Sequence, residues 1–291
     1  MTNVGFVGVG LMGHGMAANL MAKGHDLKVI GHRNRAPIED LVAKGASEVE
    51  SYEALAHSGD VIFLCLSDSD VVESVIGDLK PHLRAGQCIV DATTSNPVST
   101  QRLFEELREL GVAFVDAPIT ANPAAAELGK LTSLVGASDD VFHEVEPLIA
   151  SYSTTVIHFG PTGMGHTAKL MNNFVTQSTG QLLALCYSVA RQAGVDWKKL
   201  HQAMSGGAAK SGTFEKMVTP AIDGDFRGHE FSLANSWKDI RYFATFAESL
   251  GRKSVLVDGV EQSLKRINDA GIGDRFVSEL LDPEVDAKLR D

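Results

Sequence analysis

The sequence predicts an α/β fold in two parts, a parallel-sheet N-terminal domain followed by an all-α C-terminal domain, joined by one long helix. Three observations carry this expectation. Short apolar runs alternate with helical stretches only as far as Gly160. A glycine-rich turn separates the first of those runs from the first helix. From Gly163 onward the pattern is helical throughout, beginning with a stretch from Gly165 to Ala193 interrupted only by Gly180. The expected boundaries are 1–162 and 163–291, with the long helix at about 163–193.

The first strand is Val4–Val7, followed directly by Gly8-Val9-Gly10-Leu11-Met12-Gly13, a helix over Met12–Lys23, a turn at Gly24-His25-Asp26 and a second strand over Leu27–Ile30. A lone GxGxxG says little. Between a strand and a helix, with a second strand following, it marks a Rossmann-like dinucleotide-binding domain. The first glycine makes the turn, the second lets backbone approach a pyrophosphate, and the third lets helix pack on strand. Gly8, Gly10, Leu11, Met12 and Gly13 are therefore expected to hold the cofactor, with the helix N-terminus facing its phosphates.

At the end of the second strand an acidic residue would accept from a ribose 2′-hydroxyl and favour NAD. Here the chain reads His32-Arg33-Asn34-Arg35, with no acid before Glu39. Arginines without a carboxylate suit a 2′-phosphate, so NADP is expected, NAD remaining an alternative, with His32, Arg33 and Asn34 at the adenosine end.

Val61–Ser67 is an apolar strand of the buried parallel type, ending in the cofactor candidates Leu66 and Ser67, with Asp68 or Ser69 capping the next helix. Gln87–Ala92 is another strand, and it ends in the polar group Thr93-Thr94-Ser95-Asn96-Pro97, at the strand end where open α/β sheets bind ligands. A helix over Ser99–Leu110, a strand over Ala113–Ala117, a loop over Ile119–Leu128, closing strands at Leu131–Val135 and Thr155–Phe159 and a helix over Asp139–Ala150 complete the domain. Later helices are expected over Asp196–Met204, Gly212–Ile222, Phe231–Leu250 and Val255–Ala270, with a short tail near Asp274–Leu281.

The long helix opens with Gly163 to Asn173, GMGHTAKLMNN. Lys169 and Asn173 are spaced i, i+4 and share a face. A lysine beside an amide at the start of an apolar run reads as an ammonium steadied for proton transfer, the alternative being a solvated first turn.

Composition excludes several classes. At 291 residues, two domains are the prior. A formal net charge of −11 opposes nucleic acid and anionic membranes as general partners. Cys65, Cys88 and Cys186 form no CxxC pair and sit among apolar residues, as buried free thiols do, so neither a disulfide framework nor a zinc site is expected. The ten histidines, His14 and His166 beside the ligand loops included, show no spacing read as a metal site, and no metal is expected. His32 is a candidate for stacking on adenine. No apolar run approaches the ~20 residues of a membrane span, and no basic segment precedes a signal-like core, so the expected setting is cytoplasmic.

Taken together, these stretches resemble the β-hydroxyacid dehydrogenase family, which includes 3-hydroxyisobutyrate dehydrogenase and tartronate semialdehyde reductase. Gly5–Leu20 is similar to the family's cofactor loop, DATTSNP (91–97) to its second motif, and DAPITANPAAAELGKLTSLVG (116–136) to its substrate motif. GMGHTAKLMNN resembles the catalytic motif, and Phe231 with Lys238-Asp239 the late motif that closes over the cofactor. The resemblance implies hydride transfer between nicotinamide and a small hydroxyacid or semialdehyde, with Lys169 as proton donor or base and Asn173 aligning it. It also implies Thr94, Thr120, Ala121 and Asn122 as the grip on the substrate's acid group, Thr94, Phe231 and Lys238 as cofactor residues, and a homodimer or homotetramer. Two departures stand out: Thr120-Ala121-Asn122 replaces the usual Ser-Gly-Gly, and Leu185 stands where a glutamate is common. Imine reductases resemble the same architecture but generally lack a lysine at the place of Lys169. A catalytically silent NADP-binding module would have no need for that lysine.

Overall fold

The computed structural model describes residues 1–289; positions 290 and 291 of the expected helical domain lie outside the described residues. The first strands are β1 (Asn3–Val7), β2 (Asp26–Ile30), β3 (Ser47–Val49), β4 (Val61–Leu64), β5 (Cys88–Asp91) and β6 (Ala113–Asp116). They form one parallel sheet in the order β3-β2-β1-β4-β5-β6. Helices α1 (Gly13–Ala22), α2 (Ala36–Ala43), α3 (Tyr52–Ser58), α4 (Ser69–Leu79) and α5 (Pro97–Arg108) connect them. Side chains alternate between two buried faces. Phe6, Phe63, Val90 and Val115 enter one core, while Val7, Ile62, Leu64 and Ile89 enter the other. A parallel sheet covered on both faces needs such apolar runs. Val7, Leu64, Asp91 and Asp116 are register partners, so β1, β4, β5 and β6 all end in one row. The strand order reverses between β1 and β4, and ligands of open α/β sheets bind outside the strand ends at such a reversal.

The expected closing strands do not extend this sheet. β7 (Ile119–Thr120), β8 (Leu131–Val135) and β9 (Ser153–His158) form a separate three-stranded sheet, antiparallel then parallel. The expected loop over 119–128 holds both β7 and α6 (Pro123–Glu127), because Asn122 caps a run opened by proline and continued by three alanines. Helix α7 (Asp139–Ile149) lies between β8 and β9 in sequence. The short β3, with its exposed SEV sequence, carried no apolar alternation by which to anticipate it.

The second unit is helical: α8 (Met164–Gln192), α9 (Trp197–Ser205), α10 (Gly212–Ala221), α11 (Leu233–Ser249), α12 (Val255–Asp269) and α13 (Pro283–Ala287). The side chains of Asp196, Ser211, Ser232 and Ser254 cap α9 to α12, so α11 starts at Leu233 rather than Phe231. Tyr187, Phe214, Met217, Leu233, Ile240, Leu264 and Val277 form its core. The expected tail contains a 3-10 turn over Val277–Leu281. Cys186 is exposed rather than buried, on a stretch of α8 that also exposes Leu182, Leu185 and Val189. The chain divides into compact units Met1–Lys169 and Leu170 onward, and α8 runs through that division. No helix among the described residues is long and apolar enough to cross a membrane.

Candidate active site

The loop between β1 and α1 is shaped by sterics. Gly8 has φ +96°, and a Cβ there would collide with the Cys65 carbonyl; at Gly13 it would collide with the Gly8 carbonyl. At Gly10 a Cβ would meet no atom within 4 Å, so the second glycine opens onto free space. Helix α1 has neither a side-chain cap nor an acidic residue in its first turn, whereas α3 to α6 are all capped by side chains. A glycine turn leading to an uncapped helix N-terminus fits a phosphate group. Leu11 is 83% exposed and Met12 half-buried.

His32, Arg33 and Asn34 follow β2 on the surface. Arg35, however, is held in a fork by Glu48 on β3, at 2.6 and 2.8 Å. Of the two arginines, Arg33 is therefore the one left to meet an anion.

At the ends of β4 and β5 the backbone N–H of Leu66 donates to Thr93 Oγ1 (2.9 Å). Buried Asp91 accepts from the Thr93 N–H (2.9 Å) and Ser95 Oγ (3.0 Å). The polar group after β5 is thus rigidly built, with Thr94 half-buried beside it. Ser67 is exposed and donates to Asp68 (2.8 Å), and Asp68 caps α4.

The start of α8 is anchored to β6. Gly163 has φ +97°, and the N–H groups of Gly163 and His166 each donate to the fully buried Asp116 carboxylate at 2.6 Å. Burial pushes the Asp116 pKa up, against the opposing pull of His166 and those backbone N–H groups. A Cβ at Gly165 would collide with the Leu134 carbonyl, so this turn lies against β8 as closely as backbone allows. His166 is itself fully buried. Its Nε2 donates to the Thr93 carbonyl (2.9 Å), which fixes a proton there, and Nδ1 meets Thr100 Oγ1 at 2.8 Å. One imidazole therefore ties the 93–94 turn to the helix that bears Lys169, three residues on. Lys169 is only 8% exposed, an uncommon state for a lysine.

Thr120 ends β7, and Ala121 follows with φ +94°, a left-handed backbone that glycine adopts without strain. The Asn122 side-chain oxygen accepts from the Ala125 N–H (3.0 Å) as the cap of α6, and its Nδ2 is a donor it can offer a ligand.

In the second unit, Asn173 (4% exposed) donates through Nδ2 to Asp239 Oδ2 at 2.6 Å. Lys238 Nζ lies 3.4 Å from Asp239 Oδ1. Phe231 is half-buried at the edge of the helical core, with its ring near His229. Trp237 also packs on that core.

Asp91, Asp116, His166 and Asp239 were not singled out as site residues in the sequence. Each stood inside a motif already recognised; Asp91 is held by its near neighbours Thr93 and Ser95, but the others depend on partners 50 to 73 residues away (Asp116–His166, Thr93–His166, Asn173–Asp239), which spacing does not reveal. Burial pushes the thiols of Cys65 and Cys88 up to about 12, which removes them as nucleophiles at neutral pH.

Residues 3–160 match the family described as the NAD binding domain of 6-phosphogluconate dehydrogenase. Residues 163–283 match that described as NAD-binding of NADP-dependent 3-hydroxyisobutyrate dehydrogenase. The chain is 31% identical to 2-hydroxy-3-oxopropionate reductase of Escherichia coli, over 85% of each chain. It is also 31% identical to 2-(hydroxymethyl)glutarate dehydrogenase of Eubacterium barkeri, over 81% of this chain and 79% of that one. The solved structure of Mycobacterium tuberculosis 3-hydroxyisobutyrate dehydrogenase with L-serine shares the fold at a TM-score of 0.87 and 21% identity, covering 97% of this chain and 98% of that one.

Proposed function

Because the chain belongs to the β-hydroxyacid dehydrogenase family of NAD(P)-dependent oxidoreductases acting on CH–OH groups, we propose that it is an NADP-dependent semialdehyde reductase and hydroxyacid dehydrogenase with Lys169 as its acid–base group. The observation that carries this reading is the buried pair on α8: a lysine at 8% exposure and an asparagine at 4%, one helical turn apart. An ammonium enclosed to that degree needs a reason beyond packing.

The nicotinamide cofactor supplies or accepts the hydride. The chain's own residues manage the rest. The loop Gly8–Gly13 and the bare N-terminus of α1 bind the pyrophosphate, and Leu66, Ser67 and Thr94 line the strand ends beside it. Arg33 takes the 2′-phosphate, flanked by His32 and Asn34. Lys169 delivers a proton to the carbonyl oxygen in reduction and removes it in oxidation. Asn173, held by Asp239, keeps the ammonium and substrate oxygen in line. Thr94, Thr120, the backbone at Ala121 and Asn122 grip the acid group. Phe231 and Lys238 serve the cofactor. Residues 1–162 act as the NADP-binding domain and 163–291 as the helical domain.

The relatives named for hydroxyacid chemistry, together with the lysine at 169, favour this reading over an imine reductase or a silent binding module. The apolar stripe Met171, Val175, Leu182, Leu185 and Val189, exposed by 49 to 65%, supports a homodimer or homotetramer, and a monomer by sedimentation would refute the assembly; the setting we propose is the cytoplasm. For the activity, initial rates are measured with NADPH and NADH against a panel of small semialdehydes and hydroxyacids. NADPH-dependent turnover of at least one is expected, and Arg33→Ala should raise KM for NADPH by about tenfold while leaving that for NADH unchanged. Preference for NADH in the parent enzyme would refute the role of Arg33. Cofactor binding without turnover on the panel would refute the enzymatic reading.

A further inference from the structure

Helix α3 and the 3-10 turn after α4 bring together Glu53, His57 and His82, none of which the candidate site uses. One ligand atom from each lies within 4.8 Å of the other two. Glu53 and His57 are spaced i, i+4 on α3, and the two imidazoles meet edge to face with centroids 6.2 Å apart. Among the described residues no hydrogen bond or ion pair occupies these three side chains. His14 contrasts with them, since both its ring nitrogens are taken by carboxylates.

We propose that Glu53, His57 and His82 form a binding site for a divalent transition cation of the zinc class. Two imidazoles and a carboxylate suit zinc, nickel or copper, whereas magnesium and calcium take oxygen-rich sets. Tetrahedral ligation with bonds of about 2.0–2.2 Å places ligand atoms about 3.4 Å apart, so closing onto an ion takes about an ångström of side-chain rotation. Glu53 and His57 are exposed and His82 half-buried, so all three can make that movement.

The backbone beneath them is already fixed. Buried Gln87 donates to the carbonyls of Ala56 (2.7 Å) and Gly59 (2.6 Å) and accepts from the Arg84 N–H (2.7 Å). The Arg84 guanidinium donates to the carbonyls of Ala56 (3.1 Å) and of His57 itself (3.2 Å). These bonds join the C-terminal end of α3 to the segment carrying His82. The ion therefore orders three side chains rather than two backbones, which keeps the entropy cost of binding small. Once bound, it staples α3 to that turn and stabilises the first unit. In the sequence the Glu53/His57 pair drew no metal expectation, and the third ligand lies 25 residues beyond His57.

The test uses the full-length chain without a histidine tag, freed of metal by a chelator and titrated with zinc chloride by calorimetry. One zinc per chain is expected with a micromolar Kd, no binding of magnesium or calcium chloride at the same concentrations, and a zinc-dependent rise in Tm. His57→Gln and His82→Gln should each weaken zinc by about tenfold or more and remove the rise. Their zinc-free Tm should stay at the parent value, because neither ring belongs to the core. Parent-like zinc affinity in either variant, or no binding to the parent below about 100 µM, overturns the proposal.

Discussion

Two helices of this protein begin in the same way in sequence and in opposite ways in structure. Gly13-His14 opens α1, and Gly165-His166 lies in the first turn of α8. At α1 no side chain caps the amides, no acid lies in the first turn, and the second glycine of the loop opens onto free space. At α8 the buried Asp116 carboxylate takes the N–H groups of Gly163 and His166. The histidines diverge likewise. His14 faces outward to Asp40 and Glu127, at 2.7 Å each, whereas His166 is enclosed between Thr93 and Thr100. Glycines before a helix thus mark close approach without saying of what. One start is left open; the other is closed on a carboxylate of the chain's own.

If that division is right, damage at α8 should fall on turnover and stability, and damage at α1 on cofactor affinity. The largest effect is expected from Lys169→Ala. Loss of a positioned proton donor should lower kcat by about 10³-fold, about 4 kcal/mol of barrier, with Kd for NADPH within about threefold of the parent. Equal loss in affinity and turnover would place Lys169 in cofactor binding instead. Next comes Asp116→Asn. An amide can accept from only one of the two backbone N–H groups and turns its own N–H₂ toward the other. Unfolding free energy by urea titration should fall by about 2 kcal/mol. An unchanged midpoint would mean that the start of α8 is held by something other than this carboxylate.

Leu11→Asp probes the open helix start. The side chain is 83% exposed, so packing changes little. A carboxylate beside the free N–H groups interacts well with the helix dipole and repels a pyrophosphate. NADPH should bind about tenfold more weakly, about 1.4 kcal/mol, with Tm unchanged or slightly raised. Parent-like affinity by fluorescence titration would mean that the phosphates do not sit at α1.

Much of the architecture was legible because it rests on local rules. Apolar runs such as VIFLCL, short and followed by a capping signal, read as buried strands, the glycine spacing fixed the first turn, and Ser or Asp caps set the helix starts within one or two residues. What escaped rests on long-range pairing. The segment after β6 turned back on itself as β7 and α6, since its one strong signal, Asn122-Pro123, is a capping signal that reads equally as loop. Arg35 looked like half of an anion site until β3 brought Glu48 to it. Asp116 and Asp239 looked like motif residues without roles until their partners on α8 arrived. Cys186 looked buried because its neighbours are apolar, yet on α8 those neighbours are themselves at the surface.

The smallest effect is expected at His14, where sign rather than size is informative. Burial alone would lower its pKa, but hydrogen bonds and charge from Glu127 and Asp40 outweigh it, and the folded value lies above the ordinary 6.5. A histidine whose pKa is raised by folding contributes its stabilisation fully below the unfolded value, and loses it as pH rises through the folded one. The site is largely solvated, so the contribution is under about 1 kcal/mol. Relative to the parent, His14→Gln should therefore be destabilised at about pH 5.5 and indistinguishable at about pH 9. A difference in Tm that stays constant across that range would show that His14 anchors α1 by packing and not by charge. The open start of α1 would then owe its position to the packing of His14 as well as to Gly8 and Gly13, and the charge on the imidazole would be incidental to it.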